Sequence, residues 1–289
     1  LERLGALITK TLTRAPREGH PPPRLVETPS GMLNAVGLQN IGIEAFLQEK
    51  LPALKLIRVP VIVSILGESV EDVVAMTSQL DRADGVAAIE LNLSCPNLQR
   101  RSGLRAQGSG PGPHPPAQSP EPLMVAQDAD ATSTVVSAAR AATNKPLIAK
   151  LSPDVTDLAP IAQAAERAGA DTVSLVNTFR GMSLDPATRR SRLGVLTGGV
   201  SGPAIRPLAV YRVWYTAQTV RIPVIGLGGI VRAEDALEFF LAGASAVAVG
   251  TANFANPRSP LQVLEGLTRY LARHGLSSLR ELQEAIQHA

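Results

Sequence analysis

The sequence predicts an α/β protein, and within that class a (β/α)8 TIM barrel whose first strand is missing. Short apolar runs rich in β-branched residues alternate along the chain with amphipathic stretches of helical period, which is typical of a parallel sheet with helices outside it. The runs show no polar alternation, so each predicted strand is buried on both faces. The glycine-rich turns come late, whereas open doubly wound sheets usually place a phosphate loop after their first strand. The barrel is therefore favoured over the open sheet.

Seven runs fit buried strands, namely residues 6–8, 61–65, 87–91, 147–151, 172–176, 224–227 and 246–249. Amphipathic helices are predicted between them at residues 71–81, 130–142, 157–168, 203–219 and 233–241, and two more at 260–272 and 277–287. A closed barrel needs eight strands. Because the first run already begins at Ala6, we expect the missing strand to be the first one.

One segment interrupts this alternation. Residues 99–122 contain an Arg-Arg pair, several glycines and serines, and the run Gly-Pro-Gly-Pro-His-Pro-Pro, which cannot hold a regular helix or strand. A loop of this length is usually an active-site lid or a disordered insert, and its composition favours a flexible insert. We otherwise expect residues 1–289 to form a single domain, since barrels of about 250 residues routinely do so.

Composition excludes several classes of function. The formal net charge is +3 and the basic residues are scattered, so no arm for nucleic acid or a membrane surface is expected. The single cysteine, Cys95, excludes an internal disulfide, predicts no metal site and fits a reducing cytoplasm. No apolar run reaches the roughly 18 residues needed to span a bilayer, and no signal peptide is recognised at the N-terminus. A cytoplasmic protein is therefore predicted.

The densest group of chemically capable residues follows the third predicted strand. Residues 92–97 read Asn-Leu-Ser-Cys-Pro-Asn, and the C-terminal end of a barrel strand is where catalytic groups lie. Two carboxamides could bind a planar polar ring, and the thiol of Cys95 could act as an acid or base if its pKa were lowered. The alternative, a small buried cysteine flanked by turn-forming asparagines, has equal weight from residue types alone.

Other polar residues occupy the same position after other strands. Lys10 and Thr11 follow the first run, Lys150 follows the apolar residues 147–149 of the fourth, and Asn177 and Thr178 follow the fifth. A cation at the barrel mouth could bind a carboxylate or a flavin oxygen, although most lysines at strand ends are merely solvated.

Glycine-rich turns occur at residues 198–202, 226–229 and 250–251. The last two turns follow the final two strands, where barrels usually bind phosphate through bare backbone N–H groups. Tight packing turns are the alternative explanation.

Three motifs in this order resemble those of the soluble, cytosolic dihydroorotate dehydrogenases. They are Arg-Glu-Gly with Pro-Pro-Pro-Arg within residues 17–24, Glu-Thr-Pro-Ser-Gly-Met-Leu-Asn at 27–34, and Leu-Asn-Leu-Ser-Cys-Pro-Asn at 91–97. The resemblance covers nearly the whole chain. It implies FMN-dependent oxidation of (S)-dihydroorotate to orotate in pyrimidine (UMP) biosynthesis, with Cys95 removing the proton from C5 while C6 delivers hydride to flavin N5.

The same resemblance implies a set of binding residues. Those implied to hold FMN are Lys10, Thr11, Ser64, Asn92, Lys150, Val176, Gly202, Gly228, Gly229, Gly250 and Thr251. Those implied to meet dihydroorotate are Lys10, Asn34, Ala35, Val36, Gly37, Leu38, Asn92, Asn97, Asn177 and Thr178.

The amino acids at residues 32–34 and 37–40 resemble those of the NAD-linked type B enzymes more than those of the fumarate-linked type. In the NAD-linked type a second subunit carries FAD and a 2Fe–2S cluster, which this chain with its single cysteine cannot hold. The resemblance therefore implies an electron-transfer partner, and it also implies a homodimeric core.

The chain departs from the family in three places. Ser64 stands where the family commonly has an asparagine that reaches FMN, so one cofactor contact should be shortened or lost. The family's first strand with its Ala-Ser-Gly turn is not found, and residues 99–122 replace and lengthen the loop that closes over substrate. These departures leave the activity of this chain open.

Two other functions are considered. The tRNA dihydrouridine synthases also place a cysteine beside an asparagine and a proline, but they need a basic RNA-binding surface and usually an added domain. A barrel remnant that only binds a partner is motivated by the departures. It is disfavoured because a scaffold has no physical need for Cys95, two strand-end lysines and the glycine turns together.

Overall fold

The computed structural model describes residues 2–93 and 124–283. The strands in these residues are β1 (Leu7–Ile8), β2 (Leu25–Thr28), β3 (Gly31–Asn34), β4 (Val61–Ile65), β5 (Ala88–Asn92), β6 (Leu147–Lys150), β7 (Thr172–Leu175), β8 (Phe179–Gly181), β9 (Leu184–Asp185), β10 (Arg190–Ser191), β11 (Gly198–Ser201), β12 (Val224–Leu227) and β13 (Ala246–Ala248). The α-helices are α1 (Ile43–Ala45), α2 (Leu51–Leu54), α3 (Val70–Arg82), α4 (Ala129–Ala141), α5 (Ala159–Arg167), α6 (Arg206–Ala217), α7 (Ala233–Leu241), α8 (Ala252–Ala255), α9 (Ser259–His274) and α10 (Arg280–Gln283).

The central element is a parallel sheet of seven described strands in the order β1-β4-β5-β6-β7-β12-β13. These are the seven predicted strands, with ends shifted by at most one residue. The predicted α/β barrel architecture with seven strands is thus confirmed. Within the described residues, β1 and β13 form the two edges of the sheet, and both are partly exposed where the inner strands are buried.

The pairing register separates an apolar face of the sheet from a polar one. Ser64 pairs with Glu90, while Lys150 pairs with both Asn92 and Ser174. Register partners and residues two apart along a strand point to the same face, so these five side chains share one face. The alternate residues of the same strands belong to the hydrophobic core beneath the helices. The polar face is therefore the interior of the barrel.

The helices form an outer layer in which α3, α4, α5, α6 and α7 pack successively side by side. Four of the five helices predicted between strands are confirmed within two residues at each end, and the fifth, predicted at 203–219, is a 3-10 turn (Pro203–Ile205) followed by α6. Side-chain capping explains where α3 and α4 begin. Ser69 accepts a hydrogen bond from the Asp72 N–H (3.2 Å), and Asp128 accepts one from the Ala131 N–H (2.9 Å). The helix predicted at 260–272 is α9, and α10 is the described part of the one predicted at 277–287.

The antiparallel strands and the first helices were not predicted. Strands β2, β3, β11 and β8 form a second sheet in the order β2-β3-β11-β8, and β9 pairs with β10. Gly31, Gly198 and Gly199 have low strand propensity, so the sequence does not indicate this sheet. The same glycines allow the backbones to approach closely, since a Cβ at Gly31 would lie 2.1 Å from the Ser201 carbonyl oxygen. Between β3 and β4, α1, a π-helical segment (Phe46–Lys50) and α2 are too short to show a periodic pattern.

A single large hydrophobic core joins the sheet to the helices that cover it. A smaller cluster of Leu33, Ala35 and Leu193 lies under the second sheet. The insert predicted at 99–122 lies outside the described residues, so the extent of a single domain across 1–289 stays a prediction.

Candidate active site

A cleft of about 480 Å³ opens at the C-terminal ends of the central strands. The second sheet forms one of its walls and the glycine turns after β12 and β13 form another. It is lined by Glu27, Thr28, Gly31, Met32, Lys150, Val176, Asn177, Thr178, Ser201, Gly202, Pro203, Ile205, Leu227, Gly228, Gly229, Ile230, Val231, Gly250, Thr251, Ala252 and Ala255. The cleft therefore has a polar end near β6 and β7 and a glycine-rich end near β12 and β13.

The glycine-rich end presents backbone rather than side chains. Gly228 and Gly229 have φ values of 132° and 76°, and a Cβ at Gly229 would lie 2.8 Å from both the Arg206 Cβ and the Gly202 carbonyl oxygen. Among the described residues, no acceptor receives the backbone N–H groups of Gly228, Gly229, Gly250 or Thr251. Such bare N–H groups can receive an anion.

Asp235 anchors the turn that follows β12. It accepts hydrogen bonds from the backbone N–H groups of Val231 (2.9 Å) and Arg232 (3.0 Å), and it forms an ion pair with Arg206. Its side chain is 3% exposed. The turn's shape therefore depends on a buried carboxylate at the start of α7.

A chain of hydrogen bonds joins four strand ends at the polar end of the cleft. The Thr11 and Ser64 hydroxyl oxygens are 3.0 Å apart, Asn92 Nδ2 donates to Thr11 Oγ1 (3.2 Å), and Asn177 Nδ2 donates to Asn92 Oδ1 (3.4 Å). The Thr178 N–H donates to Asn177 Oδ1 (2.8 Å). This chain holds the carboxamides of Asn92 and Asn177 side by side.

Lys150 projects from β6 over the barrel interior. Its Nζ lies 3.8 Å from Glu90 Oε1, and its side chain is 19% exposed while that of Glu90 is 1% exposed. The other carboxylate oxygen of Glu90 accepts a hydrogen bond from Ser174 Oγ (3.2 Å). A buried carboxylate thus lies directly beneath the lysine that lines the cleft.

Lys10 lies near Lys150 on the same rim of the barrel. The residue as a whole is exposed, yet enough protein surrounds its ammonium group for desolvation to lower the pKa of Lys10, and the positive charge of Lys150 lowers it further. Glu90 offsets part of this charge from beneath Lys150, and the remaining positive charge at the rim would attract a negatively charged ligand.

Replacing Lys10 by methionine should stabilise the ligand-free protein at neutral pH. Because the pKa of Lys10 is below 10.5 in the folded protein, the unfolded chain binds more protons between the folded pKa and 10.5, and wild-type stability rises with pH across that window. The gain in stability of the variant over wild type should be complete below the pKa of Lys10 in the folded protein and should shrink as pH approaches 10.5. Urea unfolding of both proteins across this range measures it; a variant less stable at neutral pH would contradict the charge-crowding account.

The structure brings many of the predicted site residues together. Seven predicted cofactor residues line the cleft, namely Lys150, Val176, Gly202, Gly228, Gly229, Gly250 and Thr251, and so do the predicted substrate residues Asn177 and Thr178. Thr11 and Asn92 adjoin the cleft through their hydrogen bonds to one another and to Asn177. Ser64 is 1% exposed, does not line the cleft and meets Thr11 instead.

The other predicted substrate residues lie farther from the cleft or outside the described residues. Asn34 Nδ2 donates to the Gly199 carbonyl (3.2 Å) in the second sheet. The loop Ala35, Val36, Gly37 and Leu38 packs against residues 20–24 through backbone bonds between His20 and Val36 (3.1 Å) and between Ala35 and Arg24 (2.8 Å). Cys95 and Asn97 lie outside the described residues, so their predicted roles stay predictions.

Sequence reasoning missed the wall formed by the second sheet. Glu27, Thr28, Met32 and Ser201 line the cleft, and the pairing of β3 with β2 and with β11 brings them there. Glu90 was also missed, although a detectable signal existed: it is the one charged residue within the apolar run Ala-Ile-Glu-Leu at 88–91. A lone carboxylate in a strand buried on both faces predicts a buried partner.

Comparison with known proteins decides the family. The family model described as dihydroorotate dehydrogenase matches residues 1–111 and 116–271. The chain belongs to the dihydroorotate dehydrogenase family. The resemblance predicted from the motifs is thereby confirmed.

Known relatives are similar in sequence to this chain over almost its full length. A protein of Geotalea uraniireducens is 48% identical over 286 residues, covering 99% of this chain and 87% of the relative. One of Desulforudis audaxviator is 49% identical over 282 residues (98% and 85%), and one of Bacteroides thetaiotaomicron is 46% identical over 290 residues (99% and 88%). All three are named dihydroorotate dehydrogenase B (NAD(+)), catalytic subunit.

No helix in residues 2–93 and 124–283 is both long and apolar enough to cross a membrane. The cellular location predicted from the sequence stays a prediction.

Proposed function

We propose that this chain oxidises (S)-dihydroorotate to orotate in pyrimidine biosynthesis, with FMN bound in the cleft and Cys95 as the base. The observation that carries the proposal is one cleft that joins a cationic, carboxamide-rich end to a turn of bare backbone N–H groups. A flavin nucleotide has a planar polar ring at one end and a phosphate at the other, so it needs both ends at once. The names of the relatives support the choice of substrate.

The residues of the cleft fit FMN. Lys150 and the adjoining Asn92 offer donors for the polar edge of the ring, and Val176 and Leu227 provide apolar wall. The turns at Gly228, Gly229, Gly250 and Thr251 suit the phosphate. Bound FMN would accept hydride from C6 of dihydroorotate.

Replacing Gly229 by alanine should raise the FMN dissociation constant about tenfold. A side chain at a φ of 76° costs about 1–2 kcal/mol of strain, and the added Cβ would press on Arg206 and on the Gly202 carbonyl. We expect the turn to relax and its N–H groups to leave their present alignment, which corresponds to roughly a decade in affinity. Quenching of flavin fluorescence on titration measures the change.

Gly275 provides the matched control for this prediction. It ends α9 at a φ of 65°, and a Cβ there would meet nothing within 4 Å. Gly275→Ala should carry similar backbone strain but leave FMN affinity unchanged. Equal losses of affinity in both variants would mean that the turn at Gly229 has no specific role.

The polar end supplies the groups for substrate. We assign Lys10 to the substrate carboxylate, and Asn177 and Thr178 to the polar edge of the pyrimidine ring, with Asn34, Asn97 and the loop 35–38 completing the site by resemblance to the family. Cys95 follows Leu93 by two residues, and Leu93 is tied to β6 by its N–H bond to the Lys150 carbonyl (3.2 Å). In the sequence, the proposed base Cys95 therefore comes shortly after β5, the strand that supplies Asn92. In the proposed step it takes the proton from C5.

The electrons must leave the reduced protein through a partner. We propose a separate subunit with FAD and a 2Fe–2S cluster, supported by the words "catalytic subunit" and "NAD(+)" in the names of the relatives. The homodimeric core implied by the family resemblance stays a prediction.

Formation of orotate, followed by its ultraviolet absorbance, tests the proposed reaction. The FMN-loaded chain should convert dihydroorotate to orotate with a dye as electron acceptor, and should not do so with NAD+ alone, because no path to NAD+ exists without the partner. Absence of orotate with every acceptor, although FMN is bound, would refute the substrate assignment. Turnover with NAD+ alone would refute the partner.

A further inference from the structure

Glu90 is a buried carboxylate that the proposed reaction does not use. It lies in β5 on the interior face of the barrel and is 1% exposed. Oε2 accepts the hydrogen bond from Ser174 Oγ, while Oε1 has no hydrogen-bond partner among the described residues and faces Lys150 Nζ at 3.8 Å. The carboxylate therefore has one oxygen hydrogen-bonded to Ser174 and one oxygen facing the lysine of the cleft.

Fold stability does not account for a carboxylate at this place. Burying an ion pair costs several kcal/mol of desolvation per ion, and apolar residues of similar volume often replace such a pair with no loss of stability. The interior of a β/α barrel is ordinarily filled by branched apolar side chains. A charge beneath the cleft thus points to a role in the cleft itself.

The charges near Glu90 indicate what that role is. Lys150 lines the cleft and Lys10 lies on the same rim. Without Glu90, two ammonium groups would share the polar end with no fixed negative charge beneath them. The carboxylate both offsets one positive charge and holds Lys150 Nζ on the inner side of the barrel.

We propose that Glu90 is a positioning residue that holds Lys150 in place. By limiting the positive charge near bound flavin, Glu90 lowers the flavin's reduction potential. This proposal rests on the proposed binding of FMN in the cleft. A lysine near the flavin favours the reduced, anionic form, and a carboxylate attached to that lysine weakens the preference. The reduced protein is then a better donor to its electron acceptor.

Glu90→Gln tests the proposal, because glutamine keeps the shape and can still bond to Ser174. We expect the preference for reduced over oxidised FMN to rise at least tenfold, which is about 30 mV for a two-electron couple. Equilibrium reduction of the bound flavin against a reference dye measures it without any turnover. Glu166→Gln is the control, since Glu166 caps the backbone of Arg221 and Ile222 before β12, at the end of the sheet away from the cleft, and its potential should match wild type.

The same measurement in a Lys150→Gln background distinguishes positioning from a direct field. If Glu90 acts through Lys150, Glu90→Gln should shift the potential less than half as much in that background. An equal shift in both backgrounds, or no shift in either, would overturn the proposal.

The outcomes separate this proposal from the proposed function. A wild-type chain that binds no FMN would end both. A wild-type chain that binds and reduces FMN, with an unshifted Glu90→Gln variant that still binds it, would end only the role of Glu90. If Glu90→Gln does not fold, the double variant Glu90→Gln/Lys150→Gln, which removes both charges, should regain folding, and failure of that rescue would contradict the pairing.

Discussion

Replacing Cys95 by alanine should reduce dihydroorotate oxidation by about 10²–10⁴-fold, the range expected for loss of a general base. Alanine removes the proposed proton acceptor for C5 and should leave the cleft, the glycine turns and Lys150 unchanged, so FMN should bind as in wild type. The rate of flavin reduction after rapid anaerobic mixing with dihydroorotate measures the loss directly. Steady-state turnover would understate it if a later step limits the wild-type rate.

Two comparisons make the Cys95 result interpretable. Cys95→Ser should keep more activity than Cys95→Ala, because a hydroxyl can still accept the proton, although more weakly. Chemical reduction of the flavin by dithionite should be equally complete in all three proteins. Flavin reduction by dihydroorotate within a few-fold of wild type in Cys95→Ala would show that another group is the base.

Asp235→Ala should destabilise the folded protein by about 3–5 kcal/mol, the usual consequence of removing one partner from a buried ion pair. The change removes the buried one of the two carboxylates paired with the Arg206 guanidinium, leaving only Glu238 at 3.3 Å, and it frees the Val231 and Arg232 N–H groups. Since whole domains are stable by only 5–15 kcal/mol, this is a large fraction of the total. Chemical denaturation followed by circular dichroism measures it.

Asp84→Ala is the matched control for Asp235. Asp84 also forms an ion pair, with Lys55 at 2.6 Å, but its side chain is 89% exposed, and such pairs contribute little. Because Asp235 anchors the turn proposed for the phosphate, its loss should also weaken FMN binding, so saturating FMN should stabilise Asp235→Ala less than it stabilises wild type. Similar losses of stability in Asp235→Ala and Asp84→Ala, or equal stabilisation of wild type and Asp235→Ala by FMN, would refute the anchoring role.

The central sheet was predictable because its strands are short apolar runs whose type does not depend on distant partners. The late glycine turns also predicted a phosphate site after the last two strands of the sheet; those turns do line the cleft, and phosphate binding stays a prediction. Predicted residues such as Lys150, Asn177 and Gly229 therefore meet in one cleft. The local sequence was therefore sufficient to predict those cleft residues that lie at strand ends on a common rim of the barrel.

The remaining features depend on long-range pairing, which single-sequence patterns do not contain. The wall from β3 and β11 joins segments about 170 residues apart, and its glycines give no strand signal. The position of Glu90 under Lys150 depends on the register of β5 against β6. Ser64 was expected to give a shortened or lost cofactor contact, and its hydroxyl oxygen lies 3.0 Å from that of Thr11, a neighbour that the local sequence around Ser64 does not reveal.

The most direct test of the proposed oxidation is the visible spectrum of the FMN-loaded protein before and after anaerobic addition of dihydroorotate. If the chain catalyses this reaction, its flavin absorption bands should be perturbed by the protein and should bleach when dihydroorotate is added, with one orotate formed per flavin. Bands that stay unbleached by dihydroorotate but are bleached by dithionite would contradict it, because FMN would then be bound without the proposed reaction.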